Sequence, residues 1–182
     1  MKLNNTKQIR DSVAHICKKY GDIYWRALDK EKKYPSEFVK EMTDSGFLNV
    51  LIPEEFGGSG LGLIDACAVL EEISLNGAHA GACHAQMYVM GSILRHGTEE
   101  QKAKFLPKIS AGKLRLQSFA VTEPNSGTDT TNIKTFAEKT NSGWKVNGQK
   151  VWISRVEYSD LMLLLARTTP IEKVKKRTDG IS

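Results

Sequence analysis

Apolar positions recur at helical spacing through the first part of the chain and at strand-like spacing after Gly112. Ile9, Val13, Ile16, Cys17 and Tyr20 fall on one helical face. Pro35 before Ser36-Glu37-Phe38 suits the first turn of a second helix, with Phe38, Val39 and Met42 as its apolar stripe and Gly46 as its stop. Residues 51–62 break the pattern, because Pro53 and four glycines (57, 58, 60 and 62) demand a loop. Helical spacing resumes with Ala66, Val69, Leu70 and Ile73, and Gly77 interrupts it. Residues 80–94 are almost wholly apolar, which predicts a buried helix ended by His96-Gly97. Within it Gly81, Ala82, Ala85 and Gly91 admit close approach by another helix or a ligand. Thr98 with Gln101 forms a capping box that opens a further helix, with Phe105, Leu106 and Ile109 on its apolar face.

Beyond Gly112 the period shortens. Strands are predicted over 114–122, 135–139, 144–146, 149–153 and 161–166. Asn141-Ser142-Gly143 is a turn, and Asn147-Gly148 predicts a two-residue hairpin leading into 149–153. The pattern is that of an α+β chain: an N-terminal all-helical domain over 1–114, followed by an incomplete antiparallel β domain over 115–182. Five short strands leave an open edge, and Gly180-Ile181-Ser182 offers no closing element. The expectation is a fragment or a truncated reading frame.

Composition narrows the class. Hydrophobic residues are 40% and charged residues 26% of the 182, as in a soluble globular protein. The longest apolar run, Leu161 to Ala166, is strand-sized, whereas a membrane span needs roughly 20 apolar residues. The N-terminus, Met1-Lys2-Leu3-Asn4-Asn5, lacks a signal-peptide core, so a cytoplasmic protein is expected. Cys17, Cys67 and Cys83 each lie among apolar helical residues and read as buried, reduced thiols. His79 and His84 lie on different helical faces, and no metal-ligand set accompanies them. The net charge of +5 is spread without interleaved aromatics, which argues against a nucleic-acid partner. The cluster Lys173, Lys175, Lys176 and Arg177 reads as a solvated loop.

Two stretches carry candidate chemistry. In Phe119-Ala120-Val121-Thr122-Glu123-Pro124-Asn125-Ser126-Gly127-Thr128-Asp129 a strand runs into a Pro turn and a small polar loop. Gly127 permits positive φ or close backbone approach, and Thr128 sets a hydroxyl beside backbone N–H groups, an arrangement that holds phosphate oxygens. An ordinary hairpin turn with polar residues is the reading these residues favour when taken alone. In Gly148-Gln149-Lys150-Val151-Trp152-Ile153-Ser154 strand alternation would put Trp152 and Ser154 on one face, suiting a flat heteroaromatic ligand by stacking plus an edge hydrogen bond. A core Trp on a strand is the alternative.

Taken together, F-A-V-T-E-P-x-S-G-T-D followed by N-G-x-K-V-W-I-S resembles the paired signatures of the acyl-CoA dehydrogenase family. Leu51-Ile52-Pro53-Glu54-Glu55-Phe56-Gly57-Gly58-Ser59-Gly60, Gly97-Thr98-Glu99-Glu100-Gln101-Lys102, Phe105-Leu106-Pro107 and Leu163-Leu164-Leu165-Ala166-Arg167 agree in order. The resemblance runs from about Tyr34 onward. It implies FAD as cofactor and an acyl-CoA substrate sandwiched between flavin and a carboxylate base. The base removes the α proton, the β hydrogen leaves as hydride to flavin N5, and a 2-enoyl-CoA results. Electrons then pass to an electron-transferring flavoprotein. By the same resemblance Phe119, Val121 and Thr122 touch the flavin ring, with Thr122 on its pyrimidine edge. Gly127 and Thr128 lie near the pyrophosphate, and Thr128 also contacts the acyl-CoA. Trp152, Ile153 and Ser154 form the second flavin strand, with Ser154 donating toward N5. The 80–94 helix resembles one lining the acyl chain, making His84, Met87, Tyr88 and Gly91 candidate pocket residues.

Three departures stand out. Thr128 replaces the commoner Ser. Arg155 follows Ser154 where relatives often carry Asn, and a surface pairing with Glu157 or Asp160 is expected. Family members are about twice as long, so the catalytic base is expected in a C-terminal helical domain outside these residues, along with most of a dimer or tetramer interface. Glu123 belongs to the flavin loop and is not assigned as the base. On this reading the chain alone binds FAD poorly and turns nothing over. An acyl-CoA oxidase-like flavoenzyme and a non-catalytic binding module keeping half the fold are the rival readings.

Overall fold

The computed structural model describes residues 2–182, with side chains from Thr6 onward. Met1 and the side chains of residues 2–5, on which the reading of the N-terminus rests, lie outside the described residues. Six α-helices come first: α1 Lys2–Cys17, α2 Asp22–Glu31, α3 Ser36–Asp44, α4 Leu63–Leu75, α5 Gly81–His96 and α6 Glu99–Ser110. Four strands follow: β1 Leu116–Ala120, β2 Phe136–Thr140, β3 Gly143–Asn147 and β4 Leu161–Leu164. The chain divides into two compact units, residues 1–117 with 158–161, and residues 118–157 with 162–182. No helix among the described residues is long and apolar enough to cross a membrane.

The helical unit is built on the stripes that its sequence announces. Ile9, Val13, Ile16 and Cys17 of α1 are buried with Phe38, Val39 and Met42 of α3 and Ala66, Val69 and Ile73 of α4. Tyr20 lies just past the end of α1. It packs edge-on to the ring of Phe38 at 5.3 Å, and its hydroxyl donates to Glu41 at 2.8 Å. Helix α2 was not foreseen. Its apolar face, Tyr24, Trp25 and Leu28, is short and only half-buried, and Tyr24 and Trp25 attach it to the core as partly buried aromatic edges. Gly46 ends the α3 segment at φ 78°. At the head of α6 the Gln101 N–H donates to the Thr98 hydroxyl at 3.2 Å, and the Thr98 N–H to the Gln101 side chain at 2.9 Å, as a capping box requires. Helix α5 buries Ala82, Cys83, Ala85, Gln86, Met87, Val89 and Met90, while His84 and Tyr88 face outward. Cys17 and Cys83 are buried, but Cys67 is exposed on α4, which corrects the expectation of three buried thiols.

The β unit differs more from its sequence-based outline. Strand β2 pairs antiparallel with β3, from Phe136 opposite Asn147 to Thr140 opposite Gly143. Strand β1 pairs with β4. The strand expected over 149–153 does not form, and neither does the hairpin at Asn147-Gly148. Gly148 instead crosses Thr135 so closely that an added Cβ would lie 2.6 Å from the Thr135 Cα. Trp152 and Arg155 then take positive φ, 61° and 62°, which interrupts any extended run. The last residues, expected to close nothing, pair with the chain: Ile181 bridges Arg167 antiparallel, and Arg167 bridges Phe136 in parallel. Arg167 is buried, its guanidinium donating to the carbonyls of Thr131, Arg177 and Asp179.

Candidate functional site

All eight residues singled out for cofactor contact, Phe119, Val121, Thr122, Gly127, Thr128, Trp152, Ile153 and Ser154, fall in the β unit. Their two stretches are neighbours. The Val151 N–H donates to the Thr122 carbonyl at 2.9 Å, and the Ser118 hydroxyl donates to the Ser154 carbonyl at 3.0 Å. Residues 150–154 therefore lie beside 118–122 in the opposite direction, without forming a regular ladder. Phe119, Val121, Thr122 and Ile153 are partly buried, while Gly127, Thr128, Trp152 and Ser154 are exposed. Trp152 is 90% exposed, extreme for the largest apolar side chain in the alphabet. A bulky residue at positive φ with its ring in solvent has no packing reason to be there.

Gly127 does not use the positive φ that its residue type allows; what it offers is space, since an added Cβ would meet nothing within 4 Å. The loop around it is shaped from within. Glu123 and Ser126 exchange backbone N–H···O bonds of 2.9 and 3.1 Å, and Arg177 holds Asp129 at 2.7 Å.

A buried ion pair, Glu123 with Lys150, joins the two stretches. The Glu123 side chain is 2% exposed and that of Lys150 is 9% exposed, and they meet at 2.9 Å. Glu123 also accepts from the Lys134 N–H at 2.6 Å and the Thr135 N–H at 2.9 Å. Burial opposes ionisation of this carboxyl, but hydrogen bonds from Thr135, Lys134 and Lys150 outweigh it and hold the group down to about 2. So fully committed a carboxylate is a poor proton acceptor, a physical reason to leave it out of the base role. Lys150 stood inside the motif as quoted, but its partner is 27 residues away, beyond the reach of any local pattern.

On the helical unit, Met87, Tyr88 and Gly91 line a half-open cleft of about 310 Å³ with Leu51, Leu63 and Arg95. His84 does not line it, but its ring lies 4.8 Å from that of Tyr88. Arg155, expected to pair with Glu157 or Asp160, stands at a left-handed turn, and Asp160 accepts from the Arg115 N–H at 2.6 Å.

A helical unit followed by a β unit with these paired motifs is the order of domains that known proteins share. Residues 4–113 match the family model for the acyl-CoA dehydrogenase N-terminal domain, and residues 118–182 match that for the acyl-CoA dehydrogenase middle domain. The chain belongs to the acyl-CoA dehydrogenase family. It is 35% identical over 172 residues to acyl-CoA dehydrogenase FadE12 of Mycobacterium tuberculosis, a match covering 93% of this chain and 44% of that protein. The crystal structure of acyl-CoA dehydrogenase from Geobacillus kaustophilus superimposes with a TM-score of 0.87 at 31% identity, over 97% of this chain and 46% of that one. An acyl-CoA dehydrogenase from Bacillus anthracis complexed with FAD superimposes with a TM-score of 0.82 at 28% identity, over 90% of this chain and 29% of that one. The chain thus spans less than half the length of these relatives.

Proposed function

We propose that this chain supplies the flavin-docking half of an FAD-dependent acyl-CoA dehydrogenase that converts a fatty acyl-CoA to its 2-enoyl-CoA. The observation that carries the proposal is the side-by-side placement of 118–122 and 150–154, with Trp152 held in solvent at positive φ. The residues fit the cofactor. Trp152 offers a flat apolar face for the isoalloxazine, Thr122 and Ser154 offer hydroxyls for its polar edge, and Phe119, Val121 and Ile153 offer an apolar floor. Gly127 leaves room for a pyrophosphate to approach the backbone, and Thr128 adds a hydroxyl there and toward the acyl-CoA. Bound there, FAD would supply a hydride acceptor for the substrate β carbon. This chain's part is to bind and orient ring and thioester, and to stabilise negative charge on the ring edge through Thr122 and Ser154.

The α-proton base comes from outside these residues on this reading, so the chain alone has no turnover. The cleft beside Met87, Tyr88 and Gly91 receives part of the acyl chain. The reaction belongs to fatty-acid β-oxidation in the cytoplasm, an electron-transferring flavoprotein takes the electrons, and the longer parent assembles as a homo-oligomer. Support for these last points is family membership alone, whereas the Bacillus anthracis FAD complex supports the cofactor.

Equilibrium dialysis of the chain against FAD tests the docking claim, and anaerobic mixing of a longer, flavin-loaded form with octanoyl- or palmitoyl-CoA tests the chemistry. Weak but saturable FAD binding by the chain, and bleaching of the flavin absorbance in the longer form, are expected. A flavin-loaded form that no acyl-CoA bleaches refutes the dehydrogenase reading.

A further inference from the structure

Lys150 is a long cation with its side chain only 9% exposed, in a segment that forms no strand. Its ammonium donates to the Val121 carbonyl at 2.8 Å and to Glu123 Oε1 at 2.9 Å. Glu123 in turn receives the N–H groups of Lys134 and Thr135, so one carboxylate ties together three separated stretches of chain. The next residue, Val151, donates its N–H to the Thr122 carbonyl, and the one after that is Trp152 at positive φ. A left-handed, solvent-facing Trp keeps a defined position only if the chain beside it is held. The ion pair is what holds it: a desolvated, charge-assisted contact anchors one end of the segment, and the Ser118–Ser154 bond anchors the other.

We propose that Lys150 is a positioning residue for the flavin site, latching the Trp152–Ser154 segment against the Thr122 segment before any ligand arrives. The proposal rests on the FAD reading above and deepens it, since Lys150 touches neither cofactor nor substrate but fixes the two stretches that do. Preorganisation of this kind raises affinity by removing the ordering cost from the binding step. The Lys150 charge does not itself attract the FAD diphosphate, because Glu123 neutralises it.

The test compares the chain with Lys150→Met, with the double variant Glu123→Gln/Lys150→Met, which leaves no orphaned buried charge, and with Lys145→Met, which removes an exposed lysine from β3. Amide exchange at Val151 and Ala137 reports the latch and the neighbouring pairing, and FAD titration reports its use. Both Lys150 variants should speed Val151 exchange by about tenfold or more, and Lys150→Met, which keeps the Glu123 carboxylate that receives the Lys134 and Thr135 N–H groups, should leave Ala137 unchanged. Their FAD dissociation constants should rise by about tenfold or more, while Lys145→Met changes neither reading. Unchanged Val151 exchange overturns the proposal. So does equal loss of protection at Ala137 in Lys150→Met, which would make Lys150 a general support of the unit, and so does equal weakening of FAD binding by Lys145→Met. FAD affinity unchanged in variants that free Val151 overturns the positioning role. If the unaltered chain binds no FAD while Val151 is freed as expected, the cofactor reading fails and the latch stands.

Discussion

Glu123→Gln tests the buried pair where its effect is largest. Glu123 is held at about 2 against an ordinary 4.5. A carboxyl shifted that far contributes about 3 kcal/mol to folding when ionised. The folded-state value lies below the unfolded one, so this contribution is complete above about pH 5 and drains away as the pH falls toward 2. Glutamine keeps the shape but replaces one acceptor oxygen with a donor. That nitrogen must face either the Lys134 N–H or the Thr135 and Lys150 donors. Lys150 also loses its counter-charge, and orphaning one member of a buried pair typically costs about 3–5 kcal/mol. The assay is urea unfolding followed by tryptophan fluorescence in a Trp25→Phe background, so that Trp144 and Trp152 of the β unit report. Glu123→Gln should cost about 3 kcal/mol at pH 7, and the difference should shrink toward zero near pH 2. A pH 7 difference under about 1 kcal/mol, or one that stays constant down to pH 2, refutes the argument.

Three further outcomes follow from the geometry. Gly148→Ala puts a Cβ against the Thr135 backbone and should cost about 3 kcal/mol, whereas Gly127→Ala enters open space, leaves thermal stability intact and weakens FAD binding; both are read by thermal unfolding and FAD titration. Trp152→Asn suits the left-handed turn, so stability should stay within about 0.5 kcal/mol or rise, while FAD binding is lost. A thiol reagent at pH 8 should label Cys67 fast and Cys17 slowly, since Cys17 is buried and its thiol is pushed up to about 11 by burial with help from Glu72; rapid loss of all three thiols in folded protein would contradict the burial described here.

Local periodicity carried the helical unit well. The stripes on α1, α3, α4 and α5 and the box at Thr98 depend on residues three or four apart, a distance at which sequence pattern and geometry are nearly the same thing. It says less at α2, where the Tyr24, Trp25 and Leu28 face spans barely more than one turn and is only half-buried. It failed at 147–153. Asn147-Gly148 carries a strong local hairpin preference, yet long-range demands prevail there: Gly148 must pass Thr135, and Lys150 must reach Glu123. Cys67 is exposed for a related reason, because an apolar neighbourhood in sequence does not say which side of α4 faces the core. The two flavin-type motifs were legible as strings. Their adjacency, and the ion pair beneath them, arise from contacts dozens of residues apart that no single window contains.

A crystal structure of the chain soaked with FAD, or of its longer parent with FAD bound, tests the central claim most directly. The account predicts the isoalloxazine packed against Trp152, with its polar edge within hydrogen-bonding distance of the Thr122 and Ser154 hydroxyls and the pyrophosphate near Gly127. A flavin bound elsewhere, with Trp152 still free in solvent, would contradict it.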